Sequence, residues 1–131
     1  MIVVDSSVWI DYFNGRDTQE TDALDAVLSD RLVVIGDLIM AEVLQGFRLE
    51  EDFKRAERFL KNLEFHQMVG KEVALQSARN YRTLRARGVT VRKTIDVIIG
   101  TWCILNDRLI LHADRDFDSM EIFLGLRVLR R

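Results

Sequence analysis

Two kinds of apolar pattern alternate along this chain. Short runs rich in β-branched residues stand between longer segments whose apolar positions recur at helical spacing. Ile2-Val3-Val4 runs straight into Asp5 and reads as a buried strand, and the segment 8–13 that follows two serines reads as a helix. Gly15 is placed to stop that helix and Thr18 to cap the next, over 19–29, where Ala23, Leu24, Val27 and Leu28 share one face. A buried strand is expected at 32–35, with Asp37 capping a helix that runs to about position 46. The charged segment 50–62 carries Phe53, Ala56, Phe59, Leu60 and Leu63 on one stripe, and a short strand is expected at 64–66. An amphipathic helix over 71–87 closes at Gly88, and 89–93 is a loop. Thr94 is expected to cap the most apolar helix, 95–106, ahead of a strand at 108–112. A short helix or turn and the apolar segment 126–129 complete the chain. Short strands alternating with helices predict an α/β fold, a short central parallel sheet of about four to five strands covered by helices on both faces.

Composition narrows the class without choosing a function. The 131 residues fit one domain spanning 1–131, with 48% apolar and 31% charged residues and no proline. A net charge of −2 argues neither for nor against a nucleic-acid partner. Cys103 is the only cysteine, which excludes an intrachain disulfide and a cysteine-based zinc site; its apolar neighbours suit a core residue in a reducing compartment. Asp5 interrupts the apolar start and no basic region precedes it, so no signal peptide is expected. The apolar run 97–105 falls short of the roughly 20 residues of a membrane span. A cytoplasmic location without membrane contact is the resulting expectation.

With 21 acidic residues, a single carboxylate is ordinarily a solvated charge. Four nevertheless stand among apolar residues at element ends. Asp5 ends the first strand, where open α/β sheets build their sites, although it could also cap the helix that follows, a job Ser6 or Ser7 could do equally well. Glu42 lies within Leu38-Ile39-Met40-Ala41-Glu42-Val43-Leu44 and faces either solvent or a polar cleft. Asp96 sits in the first turn of the most apolar helix, where a plain interaction with the helix dipole would also explain it. Asp114 follows the last long strand as Asp5 follows the first. Two strand ends and a helix start place these acids at one edge of the sheet, with Glu42 able to join them. Gathered carboxylates repel and raise one another's pKa, and a divalent cation removes the conflict. Oxygen ligands without histidine or cysteine point to Mg²⁺ or Mn²⁺, which suits phosphate chemistry.

Four segments then match a known family in order and in approximate spacing. They are Ile2-Val3-Val4-Asp5-Ser6-Ser7-Val8-Trp9-Ile10, Met40-Ala41-Glu42-Val43-Leu44-Gln45-Gly46, Thr94-Ile95-Asp96-Val97-Ile98-Ile99-Gly100 and Leu111-His112-Ala113-Asp114-Arg115-Asp116-Phe117. Through them nearly the whole chain resembles PIN-domain ribonucleases of the VapC type, the toxin half of type II toxin–antitoxin pairs. The resemblance implies a PIN-like fold and an endoribonuclease dependent on Mg²⁺ or Mn²⁺ that hydrolyses RNA phosphodiester bonds and inhibits growth or translation. It implies Asp5, Glu42, Asp96 and Asp114 as the catalytic, metal-binding quartet. Asp5 and Asp96 would touch the metal directly, Asp114 directly or through water, and Glu42 would orient water or hold a second ion. Asp116 is an auxiliary acid or a helix cap, and Asp118 a surface residue. Ser7 matches a small polar position near the first acid; it would bond a carboxylate or the scissile phosphate, or cap a helix. His112 departs from the threonine often found there, as a general base or, preferably, a structural hydrogen-bonding group. His66 has no acidic partner motif and belongs to a strand or loop.

Partners follow from the same two sources. Between Lys71 and Lys93 there are seven basic residues and one acid, Glu72. That run is a solvated helix face or part of a basic rim, with Arg92, Lys93 and Arg115 as contacts to the RNA backbone. Trp9, Tyr12, Phe13, Phe47, Phe53 and Phe59 either fill the core or leave a groove for a partner helix. The resemblance implies a VapB-type antitoxin in that region, pushing a basic side chain into the acidic site. It also implies a homodimer, extended in some cases into a larger toxin–antitoxin assembly that meets operator DNA only through the antitoxin. Other readings are disfavoured by single positions. An aspartyl-phosphate phosphatase would want an acid where Ser7 stands. A phosphorylated receiver domain would want an acidic pair before the first helix and a lysine after a late strand, where His112-Ala113-Asp114 stands instead. A non-catalytic RNA-binding or scaffolding PIN domain keeps the fold without the chemistry, and the intact acidic set argues against it.

Overall fold

A computed structural model describes residues 1–130. β1 (Ile2–Val4) is buried at all three positions. Successive side chains on a strand point to opposite faces, so both faces of the sheet are covered at β1. The chain leaves it through α1 (Ser6–Phe13) and α2 (Gln19–Ser29) to reach β2 (Val33–Gly36). It continues through α3 (Asp37–Leu44) and α4 (Glu50–Lys61) to β3 (Glu64–His66). Then α5 (Lys71–Ala86) and α6 (Thr94–Leu105) carry it across to β4 (Leu109–Leu111), and α7 (Asp116–Leu124) follows. The strand order is β3-β2-β1-β4 and every pairing is parallel. Strand order therefore advances in one direction from β1 to β3 and restarts on the other side of β1. This reversal opens a crevice beyond the carboxyl ends of β1 and β4, where ligands bind in open parallel sheets.

Local chemistry explains most element boundaries. Thr18 and Thr21 form a reciprocal capping box at the start of α2, as Thr18 predicted. Gly15 and Gly88, just past the ends of α1 and α5, have φ of +73° and +78°, a conformation that favours glycine. α4 begins with Glu50, Glu51 and Asp52 and ends with Arg58 and Lys61, the charge order that complements its dipole. α6 is buried along most of its length, at Asp96, Val97, Ile99, Gly100, Thr101, Trp102 and Cys103. A buried hydrogen bond of 2.9 Å from Asn80 Nδ2 to Thr101 Oγ1 ties it to α5. Cys103 is fully buried, and burial pushes its thiol pKa up, as suits a core residue.

Several expectations need correction. Asp37 does not cap α3; Gly36 is the N-cap residue and Asp37 is the first helical residue. Asp37 Oδ1 instead accepts from the backbone N–H groups of Leu38 and Met68, at 2.8 and 3.0 Å, and so fastens the segment after β3 to the start of α3. Thr94 likewise is the first residue of α6, with Lys93 at the N-cap and no side-chain cap. α1 begins at Ser6, two residues earlier than the apolar pattern suggested, because Asp5 caps it. β2 lies one residue later than 32–35. Segment 126–129 contributes an isolated parallel bridge between Ile110 and Val128. Among the described residues, no helix is long and apolar enough to cross a membrane.

One close approach beside the site can be tested by itself. A Cβ at Gly36 would lie 2.3 Å from Sδ of Met68, which is fully buried. Gly36→Ala should force Met68 to repack and destabilise the protein by about 1–3 kcal/mol, a loss measurable as a lower urea midpoint. An unchanged midpoint would show that Met68 moves aside freely.

Candidate metal centre

Asp5 stands where β1 becomes α1, and its backbone serves both elements. Its N–H continues the sheet ladder to Leu111 C=O at 2.9 Å, while its carbonyl accepts from Val8 and Trp9 N–H. The two side-chain oxygens have different surroundings. Oδ2 accepts from Ser7 N–H at 3.0 Å and from Ser7 Oγ–H at 2.7 Å, so Asp5 does cap α1. Oδ1 is buried and has no hydrogen-bond partner. Capping and a role in the site are thus compatible, because each uses a different oxygen.

Ser7 does more than hold Asp5. Its Oγ also accepts from Ala113 N–H at 3.1 Å, linking the carboxyl end of β1 to the segment after β4. Ser6 does not cap α1, and its hydroxyl donates to Glu42 Oε1 at 3.3 Å. The only signal for it was a second hydroxyl beside the first acid. Together the serines fasten carboxylates from two elements to the start of one helix.

The structure brings the four predicted acids together as two overlapping groups. Ligand atoms of Asp5, Glu42 and Asp96 lie within 4.8 Å of one another, and so do those of Asp96, Asp114 and Asp116. Asp96 belongs to both. Asp116 thereby enters beside Asp114, whose Oδ1 also accepts the Asp116 N–H at 2.9 Å. Asp116 is the first residue of α7, so its side chain does not occupy the cap position considered for it. Asp118 is an exposed surface residue, as expected.

Electrostatics at these acids runs in one direction. Burial pushes the Asp5 carboxyl above its ordinary range, partly offset by the Ser7 hydrogen bonds. Burial and the Asp5 charge raise Glu42, against the Ser6 hydrogen bond and Lys93. Asp96 is raised from 3.8 to about 7, first by burial and then by Asp5 and Asp114, with Lys93 again opposing. Like Asp5 Oδ1, the buried Asp96 Oδ2 has no partner. Buried polar atoms are ordinarily satisfied, so two orphaned oxygens in one cluster mark an incomplete coordination set. All candidate ligands are oxygens, which fits a hard divalent cation and disfavours zinc or copper.

The neighbouring predicted residues are placed unevenly. Lys93 is exposed at the N-cap of α6, and its charge reaches both Glu42 and Asp96. Arg92 and Arg115 are exposed, the latter at the N-cap of α7. His112 is buried and its Nδ1 accepts the Asp114 N–H at 3.2 Å, the structural bond preferred for it. That bond requires Nδ1 to be unprotonated and fixes the strand end that carries Asp114. His66 lies in β3, paired with Glu64 at 2.6 Å. Of the aromatic residues, Trp9 is fully buried, while Tyr12, Phe13, Phe47 and Phe59 are half-buried and stack around it or one another.

The chain is similar to known proteins along nearly its whole length. Ribonuclease VapC11 of Mycobacterium tuberculosis is 28% identical over 129 residues, which cover 97% of this chain and 96% of the relative. The crystal structure of VapBC2 from Rickettsia felis bound to a promoter DNA fragment superposes with a TM-score of 0.77 at 14% identity, covering 98% of each chain. That of Mycobacterium tuberculosis VapC20, described as a sarcin–ricin loop cleaving toxin, superposes with a TM-score of 0.74 at 12% identity and covers both chains fully. At such identities the superpositions establish the fold, an α/β arrangement around a parallel sheet. The family model of the PIN domain matches residues 2–122, from the first strand through the last acid-bearing segment, and the chain belongs to that family.

Proposed function

We propose that this protein is a metal-dependent endoribonuclease, a single PIN domain over 1–131 that acts as the toxin of a toxin–antitoxin pair. The reading rests chiefly on the two carboxylate groups that share Asp96 and leave Asp5 Oδ1 and Asp96 Oδ2 without partners. The relative named a ribonuclease and the fold shared with a sarcin–ricin loop cleaving toxin and with VapBC2 support it. The cofactor is Mg²⁺ or Mn²⁺, held by Asp5, Glu42, Asp96 and Asp114, with Asp116 auxiliary. A bound ion would supply Lewis acidity toward a phosphate oxygen and toward water.

The chain's own residues set the geometry. Ser7 holds Asp5 through one oxygen and frees the other to act as a ligand. Glu42, steadied by Ser6, orients water for in-line attack on the phosphate, and its raised pKa suits it to take up a proton there. Lys93 with Arg92 and Arg115 positions the RNA backbone, contacts that carry affinity rather than sequence choice. The half-buried aromatic side chains beside Trp9 form the seat of a VapB-type antitoxin. The toxin works in the cytoplasm as a homodimer that meets operator DNA only within the antitoxin complex.

Three measurements test this reading. Defined RNAs incubated with the protein and Mn²⁺ or Mg²⁺ should be cut internally, and chelator should stop the cutting. Asp5→Asn and Asp96→Asn should each lower the rate by at least about a hundredfold. Cleavage that survives both chelator and these substitutions sinks the metal mechanism.

Ser7→Ala should act more mildly, lowering the rate by about 10- to 100-fold at saturating metal while the protein stays folded. A rate equal to that of the parent would show that Asp5 needs no anchoring.

The third measurement is stability against pH in chelator. The folded pKa of Asp96 lies near 7, above its ordinary 3.8, so the folded state holds the proton more tightly than the unfolded state. Its contribution to stability is therefore fully present below about pH 3.8 and is lost as pH rises through about 7. The melting temperature of the metal-free protein should fall over that window, and Asp96→Asn or added Mg²⁺ should flatten the fall. Identical slopes for the parent and Asp96→Asn would remove Asp96 as the source.

A further inference from the structure

The opposite side of α6 carries a second feature that the acidic centre does not use. A groove of about 420 Å³ runs between α5 and α6, with Ala74, Ala78 and Tyr81 on one wall and Thr94, Val97 and Ile98 on the other. Its volume falls within the roughly 300–1,000 Å³ of small-ligand sites. Ser77 lines the groove at 4% exposure, and its Oγ has no hydrogen-bond partner. A serine within a helix commonly bonds back to the preceding turn, so a buried hydroxyl left open beneath a groove is an unmet donor and acceptor. Arg82 stands on the rim. It also lines an adjoining open depression of about 500 Å³ together with Arg79 and Arg85.

These observations indicate the occupant. An apolar slot with one aromatic wall and a buried hydroxyl suits a flat heterocycle whose edge makes hydrogen bonds. An arginine-lined surface directly beside it suits phosphate. The combination is that of single-stranded nucleic acid, where bases stack on side chains and the backbone tracks a positive surface. A second copy of the chain fits less well, because symmetric pairing through this face would set Arg79, Arg82 and Arg85 against their own counterparts. Thr94 lies in the same first helical turn as Asp96, so the groove and the acidic centre border one another across that turn.

We propose that the α5–α6 groove receives an unstacked base of the RNA, with the Arg79–Arg82–Arg85 surface holding the adjacent phosphates and Ser77 reading the base edge. The proposal deepens the ribonuclease reading and rests on it for the identity of the substrate. It concerns binding beside the scissile bond, so it can be measured without cleavage.

The test is fluorescence anisotropy with labelled single-stranded oligoribonucleotides of randomised sequence, in chelator. Arg82→Gln should weaken binding several-fold and reduce the slope of log K against log salt by about 0.7, the value for one phosphate contact on a single strand. Ala78→Phe, at an exposed position that fills the groove, should weaken binding by about fivefold or more without changing that slope. Ser77→Ala should change which bases are enriched when bound oligonucleotides are sequenced. Parent-like affinity in both Arg82→Gln and Ala78→Phe overturns the proposal, as does absence of RNA binding by the parent protein. If Ala78→Phe leaves RNA binding intact but halves the mass measured by light scattering, the groove belongs to a second copy and the proposal is again overturned. A parent protein that binds RNA through these residues yet cuts none with Mn²⁺ or Mg²⁺ keeps the groove assignment and sinks the nuclease reading. One that cuts RNA while all three variants behave as the parent does the reverse.

Discussion

Burial of several carboxylates in one place, with their mutual repulsion added to it, is the constraint to which the rest of this structure answers. Asp5 and Asp96 are each 2% exposed, and on top of burial the Asp5 charge pushes both Glu42 and Asp96 toward the protonated state. Left to themselves these side chains would separate or turn outward. They cannot, because the backbone beneath them is fixed by residues with no exposure at all, including Val3 and Val4 in β1 and Val97 and Ile99 in α6. Large-to-small changes in such a core typically cost about 2–5 kcal/mol, so that backbone does not give way easily. The strain is only partly relieved. Lys93 offers an offsetting charge from the exposed start of α6, and two carboxylate oxygens keep no partner. Such unsatisfied oxygens, set where the core is tightest, leave a place that a cation could fill.

The segment Asp5-Ser6-Ser7 shows how little chain this arrangement needs. One carboxylate caps a helix with Oδ2 and presents Oδ1 to the cluster. One serine binds that carboxylate and the backbone after β4, and its neighbour binds Glu42 from α3. Three residues thus connect the carboxyl end of β1, that of the neighbouring β4 and the helix that follows β2. Topology makes this possible, since the switch in strand order lies between β1 and β4.

The fold was largely legible because its signals are local. Runs of β-branched residues and helical stripes place the four strands and the helices from α1 to α6 to within a residue or two, and glycines at 15 and 88 mark two of the stops. The acids were legible for a related reason: a carboxylate among apolar residues at an element end has few structural uses. What escaped depends on contacts distant in sequence. Asp37 looked like a cap, and its bond to Met68, thirty-one positions away, has no local trace. The division of the acids into two groups around Asp96 depends on how α7 starts, which the pattern after β4 left as a helix or a turn. The bond from Ser6 to Glu42 was hidden because capping offered a sufficient explanation for a hydroxyl there.

α6 lies between the carboxylate cluster and the groove against α5, and its geometry would limit how a single ligand could touch both. Residues advance by roughly 100° around a helix, so Asp96 and Ile98 point to nearly opposite sides. Asp96 faces the carboxylate cluster, and Thr94, Val97 and Ile98 face the groove against α5. A strand in contact with both must therefore cross the first turn of α6 rather than run along its flank. That turn carries the positive end of the helix dipole, with Lys93 at the N-cap. An extended polyanion crossing there meets positive potential at the point where it would otherwise meet the repulsion of the acids. The same lysine that eases Glu42 and Asp96 in the free protein would then lie under the phosphate backbone, so loading the site with a cation and seating the strand reinforce one another.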